Sequence, residues 1–400
     1  MTGPLTLADL TGTDNALAPH YSRFRVAERL LLTGHSHQAW PDVAREAQLA
    51  AYDAAAELVD DKWDRAFEQA DRVRAGFRAL LGDADADIAL GSNTHELVVR
   101  FLSALDLRAR PRLVTTDGEF HTVRRQLTRL VEAGLEVVRV PADPVGTLAE
   151  RLAETVDGRT AAVLVSSVLF ETARIVPGLA QVAEACRDRD AQLLVDAYHQ
   201  LGVVPCDLAA DGLGDAWVVG GGYKYLQLGE GSCFLRLPAH AQELRPVLTG
   251  WYAEFGALAT PADPDRVAYA GGGDRFAGST YDSTSHYRAA RVLDFFAEQG
   301  LTPRLLRAVS QHQRGVLTAA FDELAVADGL ITRDRETPPE AFAGFVSLTS
   351  PRAAELQAAL AARGVRTDSR GEHLRLGPAP YLTDDQLVDA VAILGEVLAA

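Results

Sequence analysis

Lysine is almost missing from this chain of 400 residues, because only Lys62 and Lys224 are lysines among its 39 basic residues. Arginine fills nearly every other position that needs a solvated or paired cation. Lysine differs from arginine in that it can lose its proton near neutral pH and attack a carbonyl as an amine. Lys62, in DDKWDRAFEQ, is typical of an exposed helical residue that pairs with nearby acids. Lys224, in the glycine-flanked run GGGYKYLQLGEG, is either a chance survivor in a turn or a reactive amine.

Cysteine and long apolar runs are scarce as well. The three cysteines, Cys186, Cys206 and Cys233, show no CxxC spacing, and an odd number fits reduced thiols better than a disulfide framework. No stretch approaches the roughly 18 apolar residues that a membrane span needs, and the N-terminus lacks a basic start followed by an apolar run. These absences predict a cytoplasmic protein with no membrane partner.

Positive charge is also in deficit, since the formal net charge is -16 and the isoelectric point is near 5.1. Such a chain repels phosphate backbones, so nucleic acid is not an expected partner. The hydrophobic content of 48% is enough for a large core. Composition and length therefore predict a globular protein with two or three domains.

Short aliphatic runs alternate with helical stretches through the middle of the chain. This cadence predicts a mainly parallel sheet covered by helices on both faces, with ligands at the carboxyl ends of the strands. The predicted strands are Arg112 to Thr115, Leu135 to Val140, Ala161 to Ser166, Gln192 to Asp196, Asp215 to Gly220 and Cys233 to Leu237.

The regions before and after this alternating segment are predicted to be mainly helical. From Pro41 to Leu81 the apolar spacing predicts two helices with one break. Long amphipathic helices after residue 275, followed by short strands, predict a smaller α+β domain. The predicted division is an N-terminal segment over residues 1–40 that contributes to the pocket and the small domain, a large domain over 41–275, and a small C-terminal domain over 276–400.

Two features near predicted strand ends give Lys224 a chemical context. Asp196 closes the apolar strand QLLVD, where a carboxylate is costly unless it meets a cation, although a turn or capping role is the alternative. Gly91 to Thr94 lead into an amphipathic helix whose N-terminus can hold a phosphate, although Ser, Asn and Thr are also ordinary N-caps. A phosphate cradle, a carboxylate and a lysine together match the three handles of pyridoxal phosphate (PLP), which are its phosphate, its ring nitrogen and its aldehyde.

The segments VDAYHQLGVVPCDL and YKYLQLGEG resemble the D-x-A-H-x-x-G and Y-K-Y-L-N-x-G-x-G motifs of the fold type I PLP enzymes in the class V aminotransferase group. Within that group the chain is most similar to the kynureninases, from about Leu32 to Tyr381. By this resemblance Lys224 would form the Schiff base with PLP and Asp196 would pair with the pyridine nitrogen. His199 would lie near the cofactor, and Tyr223 would reach its phosphate.

The same resemblance implies the architecture. It predicts an aspartate-aminotransferase-like large domain with a mainly parallel seven-stranded sheet, together with a smaller C-terminal α+β domain. It also predicts a homodimer whose sites draw residues from both subunits, and a small amino acid as the substrate. No metal site is predicted.

Weaker matches assign further cofactor contacts. GSNTHELV resembles the phosphate loop, which would carry Asn93 and Thr94. GEFHT resembles the family's F-P-[ST]-D, so Phe120 would stack on the ring with Thr122 close by. GWYA resembles a G-W segment that would place Trp251 beside the phosphate.

Other weak matches concern the subunit partner and the substrate. RFAGST resembles a loop that crosses to the neighbouring subunit, where Thr280 would reach the phosphate. HLRLGPAPYL resembles R-x-[AS]-P-x-x-Y, which makes Arg375 the clamp for the substrate carboxylate. GHSHQAWP resembles an N-terminal pocket segment, which would place Ser36 and His35 beside the substrate.

The reaction predicted from the resemblance is a kynureninase-like hydrolysis of a Cβ–Cγ bond in a γ-keto amino acid. Lys224 would move the α-proton, and water would attack the γ-carbonyl. Tyr223 or Tyr225, with His199, would manage the other protons. Departures from the kynureninase pattern predict a reshaped side-chain pocket on an intact cofactor site. They are the missing aspartate after Thr122, the residues Leu169, Glu171 and Ala173, and the pocket residues His35, His37 and Glu230.

Other PLP reactions stay open, because the fold and the cofactor do not decide the outcome. The alternatives are a class V aminotransferase, a β-eliminating C–S lyase, a decarboxylase and an epimerase. A cysteine desulfurase is disfavoured, since it needs a mobile thiol after the lysine domain and no cysteine follows Cys233. A non-catalytic PLP-binding protein is the remote alternative, and the retained Lys224 argues against it.

Overall fold

The computed structural model describes residues 3–259, 263–327 and 329–399. Within these ranges the helices are α1 (Val43–Leu58), α2 (Lys62–Leu81), α3 (Thr94–Ser103), α4 (His121–Glu132), α5 (Leu148–Thr155), α6 (Leu179–Asp188), α7 (Thr284–Gln299), α8 (Pro303–Glu323), α9 (Ala353–Ala362) and α10 (Asp384–Ala399). The strands are β1 (Leu30–Leu31), β2 (Asp87–Gly91), β3 (Arg112–Thr116), β4 (Glu136–Val140), β5 (Thr160–Ser166), β6 (Gln192–Asp196), β7 (Trp217–Gly221), β8 (Cys233–Leu237), β9 (Thr332–Arg333), β10 (Val346–Thr349), β11 (Val365–Arg366), β12 (Asp368–Arg370) and β13 (His373–Leu376).

The central sheet contains seven strands in the order β2-β8-β7-β6-β5-β3-β4. Its strands run parallel except for β8, which is antiparallel to both of its neighbours. This sheet confirms the predicted mainly parallel, seven-stranded α/β architecture. The carboxyl ends of β3, β5, β6 and β7 consequently meet along one edge, where the loops after them can share a site.

Helices cover both faces of this sheet. Because successive side chains of a strand point to opposite faces, each central strand contributes to a core on either side. In β5, Ala162 and Leu164 face α3 and α4, whereas Val163 and Val165 belong to the core on the opposite face. All seven residues of β5 are buried. A strand buried on both faces has a continuous apolar sequence such as TAAVLVS.

The two predicted helices between Pro41 and Leu81 are α1 and α2, with the break at residues 59–61. Gly82 ends α2 in the left-handed conformation (φ 63°), which glycine adopts at low cost. Helix α7 packs along α1 and α2 and connects the central sheet to the C-terminal part of the chain.

The C-terminal part contains an antiparallel sheet in the order β12-β13-β10-β9, with α8, α9 and α10 packed against it or each other. The N-terminal segment joins this region, because β1 pairs in parallel with β11 and Thr33 bridges to Gly377. The sequence prediction was that residues 1–40 contribute to the pocket and to the small domain. The exact domain bounds remain predictions.

Candidate active site

A cavity of about 290 Å³ lies at the carboxyl ends of the parallel strands. Each of these strands is followed by a loop or helix start that supplies part of the wall. The structure thereby brings together eight of the residues predicted from the sequence, namely Asn93, Thr94, Phe120, Thr122, Asp196, His199, Tyr223 and Lys224.

Lys224 lies in the loop of residues 222–232 that connects β7 with β8, and the residue is only 5% exposed. Its Nζ is 2.6 Å from His199 Nε2 and 4.7 Å from the centre of the Tyr198 ring. Burial lowers the pKa of Lys224 to about 7, against the opposing effect of the Asp196 carboxylate. A substantial fraction of the amine is therefore neutral, and nucleophilic, near physiological pH.

The glycines around Lys224 are needed for protein packing. A Cβ on Gly222 would lie 2.4 Å from Leu228, and one on Gly231 would lie 2.8 Å from Ser285. Gly229, with φ 68°, faces Arg288 at 2.5 Å from the added Cβ. These tight contacts within the protein account for glycine at all three positions.

Asp196 ends β6 beside Lys224, and its Oδ1 accepts a hydrogen bond of 2.8 Å from the Tyr198 backbone N–H. Burial raises the pKa of Asp196, whereas the Tyr198 N–H and Lys224 act in the opposite direction. A cation bound next to this carboxylate would favour its ionised form. The protonated ring nitrogen of PLP is such a cation, so Asp196 fits the predicted role.

His199 is 6% exposed, and its Nδ1 has no hydrogen-bond partner among the described residues. Burial holds the pKa of His199 well below its usual range, and the charge of Lys224 acts in the same direction. The ring is therefore neutral, and its Nε2 can accept a proton or a hydrogen bond from the Lys224 amine.

The start of α3 borders the cavity on another side. Asn93 Oδ1 accepts a 2.9 Å hydrogen bond from the Glu96 N–H, and its Nδ2 donates to Glu96 Oε1 at 3.1 Å. Asn93 is thus an N-cap, as one of the two sequence interpretations held. The helix N-terminus still faces the cavity, where it favours an anion such as a phosphate. The lysine, the carboxylate and this helix start together fit PLP.

Phe120 and Thr122 stand at the start of α4, with the Phe120 ring centre 5.4 Å from Lys224 Nζ. Phe120 also meets Phe170 edge to face, with ring centres 5.3 Å apart. His121 meets the same Phe170 ring at 5.6 Å. Aromatic rings therefore form one wall of the cavity, as expected if Phe120 stacks on a flat cofactor.

Arg375 lies behind this wall. Its guanidinium donates to the Phe170 carbonyl oxygen and to Asp368 Oδ2, both at 2.6 Å, while its Nε has no partner among the described residues. The side chain is therefore already paired with a carboxylate of the chain itself. Its role as a clamp for the substrate carboxylate remains a prediction.

The N-terminal pocket residues occupy three different environments. His35 is fully buried against Phe345, and burial lowers its pKa to about 4. The Ser36 hydroxyl donates to the Thr33 carbonyl oxygen at 3.1 Å. His37 stacks on Tyr223, which lines the cavity, with ring centres 5.1 Å apart. The structure does not bring His35 or Ser36 into the cavity wall, and their substrate contacts remain predictions.

Trp251 and Thr280 lie outside the Lys224 cavity of their own chain. Thr280 lines a neighbouring cavity of about 460 Å³, which shares Ser92 and Gly231 with the first. Trp251 is 44% exposed and packs on Tyr252. Contacts of these two residues with PLP across a subunit interface remain predictions.

Sequence reasoning missed several residues of the site. Ser166, Tyr198 and Cys233 line the cavity, and Glu119 lies directly behind Ser166. Ser166 could have been found as the last residue of the apolar strand VLVS, which ends at the same edge as Asp196. Burial raises the pKa of Cys233 to about 12, so its thiol is a poor nucleophile.

The sequence profile of the family described as "Aminotransferase class-V" matches residues 42–375. The chain belongs to the class V aminotransferase family. It is 24% identical over 337 residues to the uncharacterized aminotransferase YcbU of Bacillus subtilis (strain 168), a match that covers 82% of this chain and 84% of that protein.

Several solved structures share the fold of this chain, and one of them contains PLP. One is a mutant of C-DES with glycine covalently linked to its PLP cofactor, with a TM-score of 0.81, 18% identity, and coverage of 94% of this chain and 98% of the other. A second structure shows C-DES, a cystine C–S lyase, in complex with its reaction product cysteine persulfide. The cysteine desulfurase of Thermococcus onnurineus NA1 has a TM-score of 0.80 and 15% identity, with both chains fully covered.

Membership of this class V family makes the chain a PLP-dependent enzyme. Its cavity brings together Lys224, Asp196 and the start of α3, a set of residues that fits the aldehyde, the ring nitrogen and the phosphate of PLP. Among the described residues, no helix is long and apolar enough to cross a membrane. No group of three or more metal-ligating side chains occurs in those same ranges.

Proposed function

We propose that this class V enzyme is a β-eliminating lyase that acts at Lys224 on a small amino acid carrying a sulfur substituent on its β-carbon. The observation that carries the proposal is the buried Lys224 amine, with a pKa of about 7 and its Nζ 2.6 Å from a neutral His199, in the same cavity as Asp196. An amine in this state can both bond to an aldehyde and remove a proton.

The residues of the cavity would have separate roles in binding PLP and in moving the α-proton. PLP, when bound, supplies an aldehyde for attachment and a ring that stabilises negative charge at the substrate's α-carbon. Asp196 would hold the ring nitrogen, the start of α3 would hold the phosphate, and Phe120 would cover the ring. Lys224 Nζ would take the α-proton, and His199 Nε2 would accept a hydrogen bond that orients the amine.

The elimination balances without any oxidant. The α-proton moves to Lys224 Nζ, the Cβ–S bond breaks with its electron pair on sulfur, and the sulfur takes up that proton and leaves as a thiol or hydropersulfide. One water molecule then converts the remaining unsaturated amine into pyruvate and ammonia. The name of the structural neighbour C-DES, a cystine C–S lyase, supports this choice. So does the inert Cys233 thiol, because a lyase needs no protein cysteine to carry sulfur.

A kynureninase-like hydrolysis is the second candidate, and the aromatic corner of the cavity favours it. Phe120 and Phe170 line the cavity and meet edge to face, with His121 packed against both rings, and such a corner suits a substrate with an aromatic side chain. The resemblance of YKYLQLGEG to the kynureninase motif supports the same candidate. Transamination is the third possibility that the family offers.

Product analysis separates the three reactions. The PLP-loaded enzyme is incubated with cystine and other β-substituted amino acids, and with kynurenine and 3-hydroxykynurenine. Pyruvate with ammonia supports β-elimination, alanine released without a keto acid supports the kynureninase-like reaction, and dependence on a keto acid supports transamination. A colourless protein whose Lys224→Ala variant behaves identically would contradict all three, whereas a yellow protein that releases no product would leave the non-catalytic alternative.

We further propose a cytoplasmic homodimer. Five large apolar residues between 247 and 258 are at least 44% exposed, and we call them the 247–258 patch: Val247, Leu248, Trp251, Phe255 and Leu258. Burial of such a patch against a second subunit is favourable. A partner subunit there would place Trp251 and the neighbouring Thr280 cavity at the interface, as their predicted roles require.

A further inference from the structure

Glu119 is a buried carboxyl group that the proposed mechanism does not use. It immediately precedes Phe120, is 2% exposed and does not line the cavity. The Thr116 hydroxyl donates to its Oε1 at 2.7 Å, and the Ser166 backbone N–H donates to the same oxygen at 3.1 Å. Its Oε2 lies 2.5 Å from Ser166 Oγ. Among the described residues no basic side chain forms an ion pair with Glu119, so its charge, when present, is stabilised by these hydrogen bonds alone.

Ser166 connects this carboxyl group to the cofactor cavity. It is the last residue of β5, its register partner on β6 is Asp196, and both residues line the cavity. Ser166 is 5% exposed. A buried acid therefore touches the wall beside the predicted ring-nitrogen site through a single hydroxyl group.

A hydroxyl group carries one proton, and this fixes what Ser166 can offer to the cavity. When Glu119 is ionised, Ser166 Oγ donates its proton to Oε2, and only its lone pairs are available to a bound group. When Glu119 carries a proton on Oε2, that proton is donated to Ser166 Oγ, and the serine proton is free to point elsewhere.

We propose that Glu119 is a positioning residue whose hydrogen bond to Ser166 decides whether this hydroxyl offers a lone pair or a proton to the group bound beside Asp196. The inference rests on the proposed function, since it takes the bound group to be the cationic ring of PLP. Such a cation is stabilised by the ionised state of Glu119, in which Ser166 presents lone pairs.

Both states are accessible near neutral pH. Burial raises the pKa of Glu119 to about 7, the Ser166 and Thr116 hydrogen bonds oppose that shift, and the Asp196 carboxyl adds to it. Asp196, on β6, is the charged group that faces Glu119, because Thr116 on β3 and Ser166 on β5 are neutral. The binding of a cation beside Asp196 would lower the pKa of Glu119 and release its proton.

The Glu119→Gln variant separates these states without removing an atom. Its amide nitrogen, in the position of Oε2, donates permanently to Ser166 Oγ and so mimics protonated Glu119. The dissociation constant of PLP is measured on the apoprotein from about pH 5.5 to about pH 8.5 for the unmodified protein, Glu119→Gln, Ser166→Ala and the double variant. At about pH 8.5, where Glu119 of the unmodified protein is ionised, we expect Glu119→Gln to bind PLP about tenfold more weakly than the unmodified protein. At about pH 5.5, where Glu119 is protonated, the two proteins should bind PLP nearly equally.

The double variant isolates the role of the hydroxyl group. The Glu119 charge acts on the bound cation through space whether or not Ser166 is present, but its effect through the hydroxyl group is lost in Ser166→Ala. Glu119→Gln should therefore weaken PLP binding less than about threefold once Ser166 is alanine. An equal effect in both backgrounds, or an unchanged pH profile in Glu119→Gln, would overturn the inference. Failure of the unmodified apoprotein to bind PLP would instead refute the proposed function.

A second readout does not depend on PLP. Infrared spectra of the apoprotein should show the band of a buried carboxylic acid that disappears as the pH rises through about 7 and is missing in Glu119→Gln. In Ser166→Ala the band should shift, because Glu119 loses its hydrogen-bond partner. A band that is unchanged in both Glu119→Gln and Ser166→Ala would contradict the inference. Ser350→Ala is the matched control, since that buried hydroxyl donates to the Leu330 carbonyl oxygen at 2.7 Å away from the cavity.

Discussion

Individual residues of one type behave differently in this protein because their surroundings differ. Lys62 begins α2 and is half-buried, whereas Lys224 is buried beside a neutral histidine and three aromatic rings. Removal from water, rather than any difference in the side chain, turns Lys224 into a reactive amine.

The two lysines give a matched pair of substitutions. Lys224→Arg should abolish covalent attachment of PLP and lower kcat at least about 1,000-fold, because a guanidinium stays protonated and cannot form the bond to the aldehyde. Lys62→Arg should leave both properties unchanged. Mass spectrometry after borohydride reduction and steady-state kinetics measure them. Stable attachment of PLP in Lys224→Arg would show that another amine reacts.

The buried lysine also has a cost in stability that depends on pH. Its pKa falls from 10.5 in the unfolded chain to about 7 in the folded one, so below pH 7 the folded apoprotein carries the full cost of a buried cation. As the pH rises toward 10.5 the unfolded chain binds more protons than the folded one, and stability rises. Relative to Lys224→Met, the apoprotein should gain about 4 kcal/mol between about pH 7 and pH 10 in urea unfolding. A constant gap would contradict the lowered pKa.

The sequence predicted those site residues that stand out by their own type or by their immediate neighbours in the chain. Lys224 stood out by its rarity, and Asp196 by its place at the end of an apolar strand. Glu119 and Ser166 could not be paired in the same way. They are 47 residues apart and meet only because β3 lies next to β5, which a single sequence does not reveal.

Among the elements, the loop of residues 222–232 is fixed by a neighbouring helix. Arg288 of α7 is 7% exposed, and its guanidinium donates to the carbonyl oxygens of Leu228 and Glu230. Gly229 lies against the same guanidinium. The loop that carries Lys224 is therefore held at two backbone positions by one side chain of α7.

Helix α7 contains its own control for this contact. Arg288→Gln should lower the free energy of unfolding by about 2 to 3 kcal/mol and weaken PLP binding, since two buried carbonyl groups lose a charged donor. Arg291→Gln, one turn further on, removes only a partly exposed ion pair with Glu298 and should cost less than about 1 kcal/mol. Equal losses in urea unfolding would show that Arg288 has no special role in the loop.

Predictions of elements succeeded where patterns were bounded by turn residues. Strands β6 and β8 have the predicted bounds, and the break between α1 and α2 lies inside the predicted helical stretch. The opposite direction of β8 and the pairing of β1 with β11 were not predicted, because strand order depends on contacts distant in sequence. The same is true of Gln227, which is fully buried and bonded to Tyr21 and Gln38 of the N-terminal segment.

For the molecule as a whole, the 247–258 patch and the cavity that contains Thr280 lie close to each other in sequence and structure. The apolar residues of this patch are surrounded by a chain with a net charge of -16. Water contact with such a patch is unfavourable, and association of two copies removes it.

A charge placed in the patch should therefore disrupt the proposed dimer. Leu248→Asp should shift the protein toward a monomer in sedimentation velocity experiments and weaken PLP binding, if Thr280 acts across the interface. Val388→Asp is the control, because Val388 on α10 is similarly exposed at 46% but lies outside the patch. A monomeric unmodified protein with full activity would contradict the proposal.

The single antiparallel strand has a consequence for how the site is assembled during folding. Strands β7 and β8 are neighbours in sequence and in the sheet, so closing the loop of residues 222–232 between them costs little chain entropy. The pairing of β6 with β7 and of β5 with β6 requires longer crossovers, which form more slowly. The loop with Lys224 can therefore close through local contacts, whereas Asp196 and Ser166 join it only when the parallel strands have found their order. A nascent chain thus forms the loop that carries Lys224 first, and the amine becomes reactive only when the parallel strands and His199 bury it.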